Sequence, residues 1–431
     1  FKCEQLPDSH SFAFAHATQL RAALSLWITH MLVTLNRALR HTFFHASMLA
    51  CAALLAGCSV APPVIPPTAS APTCTATQPF RLLGEVRWGA GQQFAGVPVG
   101  GLSGIDYHAG EDRYYLISDD RSQYDAARLY SARIDYNATG LQQVALEQVH
   151  YLRTPTGALY PNNRTATAGT AVPDPEALRL LPGGRSLVWS SEGDFARGFG
   201  PSLQEARLSG DWLRDWPLPT QLQLPQPPSP THGPRNNMTL EGIALSDDGR
   251  TLWLAMEGAL KQDGPLPRKG QMGGPVRITA YDVASRQPVR QIAYVPDALA
   301  NDPFTLPLAA VNGVSEILAD GPDHLLVLER AFVLGSGFSA RLYRIATHAA
   351  DTTNTLAIDT LTQGNHRAAP KILVLDFAQL GLKTVDNLEA MTWGPRLPNG
   401  DRVLLLVSDN NFNPAEVTQF IALAQPAQCA P

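Results

Sequence analysis

The chain has 431 residues, a formal net charge of −5 and 45% hydrophobic residues. That composition suits a globular body with a sizeable core. Neither the charge nor any dense Lys/Arg run suits a nucleic-acid binder.

The first Met is Met31, and residues 1–30 read as a leader of doubtful origin without a part in the fold. Residues 31–57 read as a secretory signal. Arg37, Arg40 and His41 form a basic region, and the apolar stretch from Phe43 to Ala56 is too short to span a bilayer. It ends in Leu55-Ala56-Gly57-Cys58, which resembles a bacterial lipobox with Cys58 as the lipidated residue. The alternative is a generic signal peptide with a chance Cys. By the same resemblance Ser59, standing where Asp would retain a lipoprotein, implies an outer-membrane anchor facing the periplasm. Residues 58–79 carry Pro62, Pro63, Pro66, Pro67 and Pro72, the composition of an extended tether. Cys74 and Cys429 bracket the body and are expected to pair in an oxidising compartment, two free thiols being the alternative.

The body, residues 80–425, repeats one phrase five times: Leu102-Ser103-Gly104-Ile105, Pro175-Glu176-Ala177-Leu178, Leu240-Glu241-Gly242-Ile243, Ser315-Glu316-Ile317-Leu318 and Leu388-Glu389-Ala390-Met391. Each is followed by a turn and an apolar run closing on an acid: Asp119, Glu192, Glu257, Glu329 and Asp409. A recurrence of this length belongs to a radial or stacked β architecture. Period-2 alternation in segments such as Arg341–Ile345, with turns such as Asp247-Asp248-Gly249, predicts short strands throughout. Four strands are expected in each of the first four repeats and three in the fifth. One strand is left over at Phe80–Trp88. Letting it complete the last sheet closes a ring, so an all-β propeller of five four-stranded blades is predicted. Six blades is the alternative if the spacer Thr347–Pro370 hides further strands, and an open solenoid would not need its ends to meet.

The first strand of a propeller blade lines the axis. Glu176, Glu241, Glu316 and Glu389 are therefore expected there, with Ser103 in the first repeat. Oxygen-rich clusters of this kind suit Ca²⁺, and Asn237, Asn312, Asn387, Asn410 and Asn411 could add carbonyl oxygens. Arg121 and Arg330 follow their acids closely and could pair with them or hold an anionic substrate. The plainer reading is that the repeated polar residues fix their own hairpins. No Gly-x-Ser-x-Gly elbow, His-Glu-x-x-His or Cys-x-x-Cys is present. Gly335-Ser336-Gly337 reads as a loop, His108 could reach the channel mouth, and Trp189, Trp253 and Trp393 are expected to pack between blades.

Gly101–Ile105, Tyr115–Asp120, Asn237–Ile243 and Asp386–Met391 together resemble the phytase-like family, described by esterase-like activity, over about Leu82 to Leu423. The resemblance implies ester or phosphoester hydrolysis on a propeller with acid-bound Ca²⁺. Asp119, Asp120, Glu192, Glu241, Glu257, Glu389 and Asp409 are the candidate metal ligands, and Arg121 and Arg330 the candidate substrate contacts. The sparse basic residues suit a small anionic or ester substrate better than phytate. The competing reading is a non-catalytic lipoprotein propeller that binds a protein or envelope ligand. A lactonase-like site with one central metal lies between the two.

Overall fold

The computed structural model describes residues 80–300 and 310–427. The expectations for the leader, the signal, the tether, Cys58 and the Cys74–Cys429 pair fall outside them.

After the strand β1 (Arg81–Trp88) comes a small hairpin of β2 (Gln93–Phe94) and β3 (Val97–Pro98). Blade 1 is β4 (Leu102–His108), β5 (Arg113–Ser118), β6 (Arg128–Asn137) and β7 (Gly140–Tyr151). Blade 2 is β8 (Pro175–Leu180), β9 (Ser186–Ser191), β10 (Ser202–Arg207) and β11 (Trp212–Trp216). Blade 3 is β12 (Leu240–Leu245), β13 (Thr251–Met256), β14 (Val276–Asp282) and β15 (Gln287–Tyr294). Blade 4 is β16 (Ala310–Ala319), β17 (His324–Val333), β18 (Gly337–Ala346) and β19 (Lys371–Asp376). Blade 5 is β20 (Asn387–Gly394), β21 (Arg402–Asp409) and β22 (Thr418–Gln425), and β1 completes it antiparallel to β22 from Arg81↔Ala424 to Trp88↔Thr418.

The first strands β4, β8, β12, β16 and β20 neighbour one another around a closed ring. The propeller therefore has five blades. The spacer Thr347–Pro370 contains no strand. It lies along the outer edge of blade 3, where Thr355 N–H donates to Gln291 C=O and Ala369 N–H to Ala293 C=O, both at 2.8 Å. Covering that edge removes a row of unpaired backbone groups.

Strands such as β21 and β22 are buried on both faces along nearly their whole length, so the core lies between blades. Tyr115, Ile117, Leu178 and Trp189 join blades 1 and 2. Leu318, Leu328, Met391 and Leu406 join blades 4 and 5, and Ile105, Leu116, Ala390 and Phe420 close the ring between 5 and 1. Trp189 is buried in the seam of blades 1 and 2, and Trp253 in the core that joins blades 2, 3 and 4. Trp393 is partly buried, with the Arg402 guanidinium 3.5 Å from its ring centre.

Every first strand carries a β-bulge within its repeated phrase: between Leu102 and Gly104, Pro175 and Leu178, Leu240 and Gly242, Val314 and Glu316, and Leu388 and Ala390. This corrects the fourth repeat by one residue. Its equivalent phrase is Val314-Ser315-Glu316-Ile317, so Ser315 occupies the place of Glu241 and Glu316 the place of Gly242. Ser315 also behaves as Ser103 does. The Ser103 hydroxyl donates to Pro175 C=O of the next blade at 3.3 Å, and that of Ser315 to Leu388 C=O at 2.9 Å.

Candidate functional site: an acidic mouth on a plugged axis

Glu316 faces the axis, but not the mouth. Its carboxylate accepts from Ile243 N–H and Ile317 N–H and pairs at 3.0 Å with Arg179 of blade 2. Arg179 also donates to Ile105 C=O, Ile317 C=O and Met391 C=O. One buried guanidinium thus ties blades 1, 4 and 5 to blade 2 and plugs the channel. Burial pushes Glu316 up to about 8, against the downward pull of Arg179 and the two backbone donors. A separate cavity of about 640 Å³ lies at the opposite ends of the inner strands, lined by Asp106, Arg179, Thr392 and Trp393. His108 belongs there, bonded to Gly184 C=O at 2.9 Å.

At the starting ends of the inner strands lies a cavity of about 800 Å³. The bulges turn Glu176, Glu241 and Glu389 into it, and the ends of the second strands bring Asp119, Glu257 and Asp409. Asp174 and Glu416 also line the cavity, and Glu192 lies against its acids, making nine carboxyls from blades 1, 2, 3 and 5. Carboxylate oxygens of Asp174, Glu176 and Glu192 lie within 4.8 Å of one another, and so do those of Glu192, Glu241 and Glu257. Glu192 is common to both groups. Two glycines make room. Gly101 has φ of +63° and Asp119 lies where its Cβ would be, while a Cβ on Gly313 would come within 2.6 Å of Glu257 Cγ.

Blade 4 contributes the opposite charge. Because Val314 pairs with Glu329, the next rung sets Gly313 against Arg330. In blade 3 the corresponding rung is Leu240↔Met256, with Glu257 following. Arg330 therefore stands where the other blades place an acid, 2.9 Å from Glu389 and 3.5 Å from Glu257. Glu329, expected at the end of this run as the repeat's acid, points the other way. It accepts from Tyr294 O–H, Asn312 Nδ2 at 2.8 Å and Lys371 Nζ at 2.9 Å. Period-2 geometry makes this reversal complete, since a one-residue slip moves a side chain to the opposite face.

The other expected residues divide. Arg121 lines the cavity, 3.5 Å from Asp174 and 3.8 Å from Asp194. Asp120 is not brought to the cluster: it is buried against Arg128 at 2.6 Å and accepts from the N–H groups of Gln123, Tyr124 and Asp125. Of the asparagines, Asn237, Asn387 and Asn411 line the cavity. Asn312 turns to Glu329, and Asn410 accepts from Gly101 N–H and Phe412 N–H. Asp174 escaped the sequence reading. It directly precedes Pro175-Glu176, as Asn387 precedes Leu388-Glu389, and comparing that position across repeats would have found it.

The electrostatics follow from crowding buried acids. Burial first, and neighbouring acids second, hold Asp119, Glu176, Glu192, Glu241 and Asp409 well above the carboxylate range. Glu389 is raised for the same first cause, opposed by Arg330. Burial pushes Asp174 and Glu257 up to about 7 each, against Arg121 and Arg330 respectively. Burial alone would lower Arg330, but Glu389, Glu257, Glu241 and Asp409 outweigh it and raise its pKa. Nine carboxyls against four cationic side chains, Arg121, Arg268, Lys269 and Arg330, leave a deficit of positive charge, which protons or a cation can fill.

This donor set fits a divalent cation. The ligands are hard oxygens, and two groups of three lie close enough to share an ion. In addition, the buried Asn387 Oδ1 has no hydrogen-bond partner among the described residues.

No curated protein sequence matches the chain. Among solved structures it is similar to Kuenenia stuttgartiensis hydrazine synthase, at 14% identity and TM-score 0.33, over 74% of this chain and 81% of that one. It is also similar to the periplasmic gluconolactonase of Pseudomonas aeruginosa, at 13% identity and TM-score 0.32, over 78% and 88%. A third is the catalytic domain of a Coprinopsis cinerea GH62 α-L-arabinofuranosidase, at 11% identity and TM-score 0.39, over 81% and 98%. At these values the likenesses say nothing of this chain's chemistry. A family model does match, across residues 97–412 and so over most of the chain. With its repeated phrases, five closed blades and acidic mouth, the chain belongs to the phytase-like family, described as having the esterase-like activity of phytase.

Proposed function

We propose that the acidic mouth binds Ca²⁺ and that the protein hydrolyses a small ester or phosphoester there. The observation that carries this reading is the convergence of carboxylates from four blades on one cavity, those of blades 2 and 3 in two close groups that share Glu192. Acids serving only their own hairpins would be capped by local backbone. Here Glu192 accepts from Thr239 N–H of the next blade, and Arg330 bridges blades 3 and 5.

Asp174, Glu176, Glu192, Glu241 and Glu257 would hold the cation, with Asp119, Glu389 and Asp409 on the facing side. When bound, Ca²⁺ supplies positive charge against ester oxygens and acidifies water. Arg330 and Arg121 orient the substrate's anionic group. The Nε–H of each has no hydrogen-bond partner among the described residues, and the acids around them fix their positions. The Arg179–Glu316 plug gives the mouth a floor, so substrate enters and leaves by one end. The lipobox-like Cys58 and the Pro-rich segment after it support a lipid-anchored protein facing the periplasm, with its mouth open to small solutes.

Calorimetric titration with Ca²⁺, on the wild type and on Glu241→Gln, tests this reading beside a screen of ester hydrolysis in calcium and in chelator. Binding that weakens at least tenfold in the variant, with hydrolysis lost in chelator, is expected. A folded protein that binds no Ca²⁺ would refute it.

A further inference from the structure

The cavity is not acidic on all sides, and its apolar wall has a definite origin. In blades 1, 2 and 3 the second strand ends one residue before the ring position, at Ser118, Ser191 and Met256, and in blade 5 it ends on that position, at Asp409. In blade 4 the ladder continues past it. Asn312 pairs with Ala331, Val311 with Phe332 and Ala310 with Val333, and β18 adds Phe338 opposite Phe332.

Alternation decides which residues face the cavity. Arg330 and Phe332 lie two residues apart and share a face. Val311 and Phe338 are the cross-strand neighbours of Phe332, and the two Phe ring centres are 4.9 Å apart. Asn312 is on the reverse face, bonded to Asp297 C=O and Glu329. Val311, Phe332 and Phe338 all line the cavity, as do Leu266 and Pro267 and, next to these in the chain, Arg268 and Lys269. Both Phe side chains are only half-buried, although nothing in the blade core requires them to reach outward. Two residues along a strand span about 7 Å, so the row stands roughly that far above Arg330.

The charge distribution points the same way. Arg330 is engaged by Glu257 and Glu389, and Arg121 by Asp174 and Asp194. A substrate dense in phosphate would bring many negative charges against nine acids, which outnumber the four cationic side chains of the lining, these two guanidiniums with Arg268 and Lys269. A substrate with one polar reacting end and an apolar remainder meets complementary surface at both ends.

We propose that the substrate is an ester with an apolar arm, aryl or alkyl, which lies on the Val311–Phe332–Phe338 row while its polar end meets Arg330. This inference rests on the mouth being the ester-binding site. It makes blade 4's extended hairpin the specificity element.

The test measures acid release from methyl and benzyl acetate and phosphate release from methyl and benzyl phosphate, with Ca²⁺ present. Calorimetric binding of methylphosphonate and benzylphosphonate, which carry no hydrolysable bond, is measured in parallel. The proteins are wild type, Phe332→Ala and Phe332→Leu, each checked by a thermal melt. Burying one aromatic ring supports a benzyl-over-methyl preference of about tenfold or more in kcat/KM. That preference should fall at least fivefold in Phe332→Ala and return in part in Phe332→Leu. Turnover with a preference below twofold, or one that Phe332→Ala leaves in place, overturns the apolar-arm inference and leaves the hydrolase standing. Phe332-dependent preference for benzylphosphonate without turnover of any ester overturns the hydrolase and keeps the apolar-arm site. Neither turnover nor preference overturns both.

Discussion

Raising the pH in the absence of divalent ions should unfold this protein from its acidic mouth. The acids there have folded-state pKa values above their ordinary ones, so folding takes up protons. For carboxyls shifted in that direction, the stabilising contribution is fully present below the ordinary pKa and is lost as pH rises through the folded one. Glu257 is pushed up to about 7 from an ordinary value near 4.5, a gap equivalent to about 3 kcal/mol. Asp174, also at about 7, acts in the same direction. The two sit in one group of interacting acids, so their effects share protons and do not add in full. A loss of about 3 kcal/mol or more between pH 5 and 8 is therefore expected, a large part of the stability of a typical domain. Urea unfolding at pH 5, 6, 7 and 8 in chelator should show the midpoint falling steadily. Millimolar Ca²⁺ should remove most of that fall, and Glu257→Gln should reduce it without calcium. A midpoint that is flat or rises across this range in chelator would refute the electrostatic account of the mouth.

The axial plug and the register of blade 4 yield two more expectations. Arg179→Met strands the buried Glu316 and removes the donor from three carbonyls, at a cost of about 3–5 kcal/mol. In the Arg179→Met/Glu316→Gln double variant the loss should be smaller than the sum of the single losses by about 1–3 kcal/mol, read by denaturant unfolding; a single-variant loss below about 1 kcal/mol would remove the plug's structural role. Arg330→Met takes a cation out of the acid ring and should tighten Ca²⁺ binding by about tenfold or more at low salt. Glu329→Gln, which disturbs Tyr294, Asn312 and Lys371 instead, should lower the melting temperature while changing calcium affinity less than Arg330→Met does; the reverse ranking in calorimetry would contradict the register described here.

The closure of the ring was legible because strand count is a local property. Turn residues and period-2 runs marked the strands, and the shortage in the fifth repeat together with the surplus at Phe80–Trp88 left one economical pairing. The same local signals left six blades as the alternative, with further strands in the spacer Thr347–Pro370. Its true role depends on contacts with Gln291 and Ala293, about sixty to eighty residues away in sequence. Sequence alone also marked most of the acidic mouth. Glu176, Glu241 and Glu389 share one phrase, and Asp119, Glu192, Glu257 and Asp409 end the runs that follow.

Blade 4 marks the boundary of what could be read. Ser315-Glu316-Ile317 imitates the phrase of the other repeats, and Glu329 imitates the acid that closes each run. Both are displaced by one residue from the positions that face the cavity. Whether such a residue lines a site depends on the bulge and the pairing register, and those are set by hydrogen bonds to the neighbouring strand. The amino-acid order by itself determined that this chain makes five similar sheets, that they meet end to end, and that each brings polar groups to its inner edge. Only the tertiary structure decided that Glu316 is consumed by Arg179 in an axial plug, that Asp120 belongs to Arg128, that Asp174 joins the acids, and that Arg330 rather than Glu329 completes the ring, because each of these outcomes is a choice of partner between blades rather than a property of any one strand.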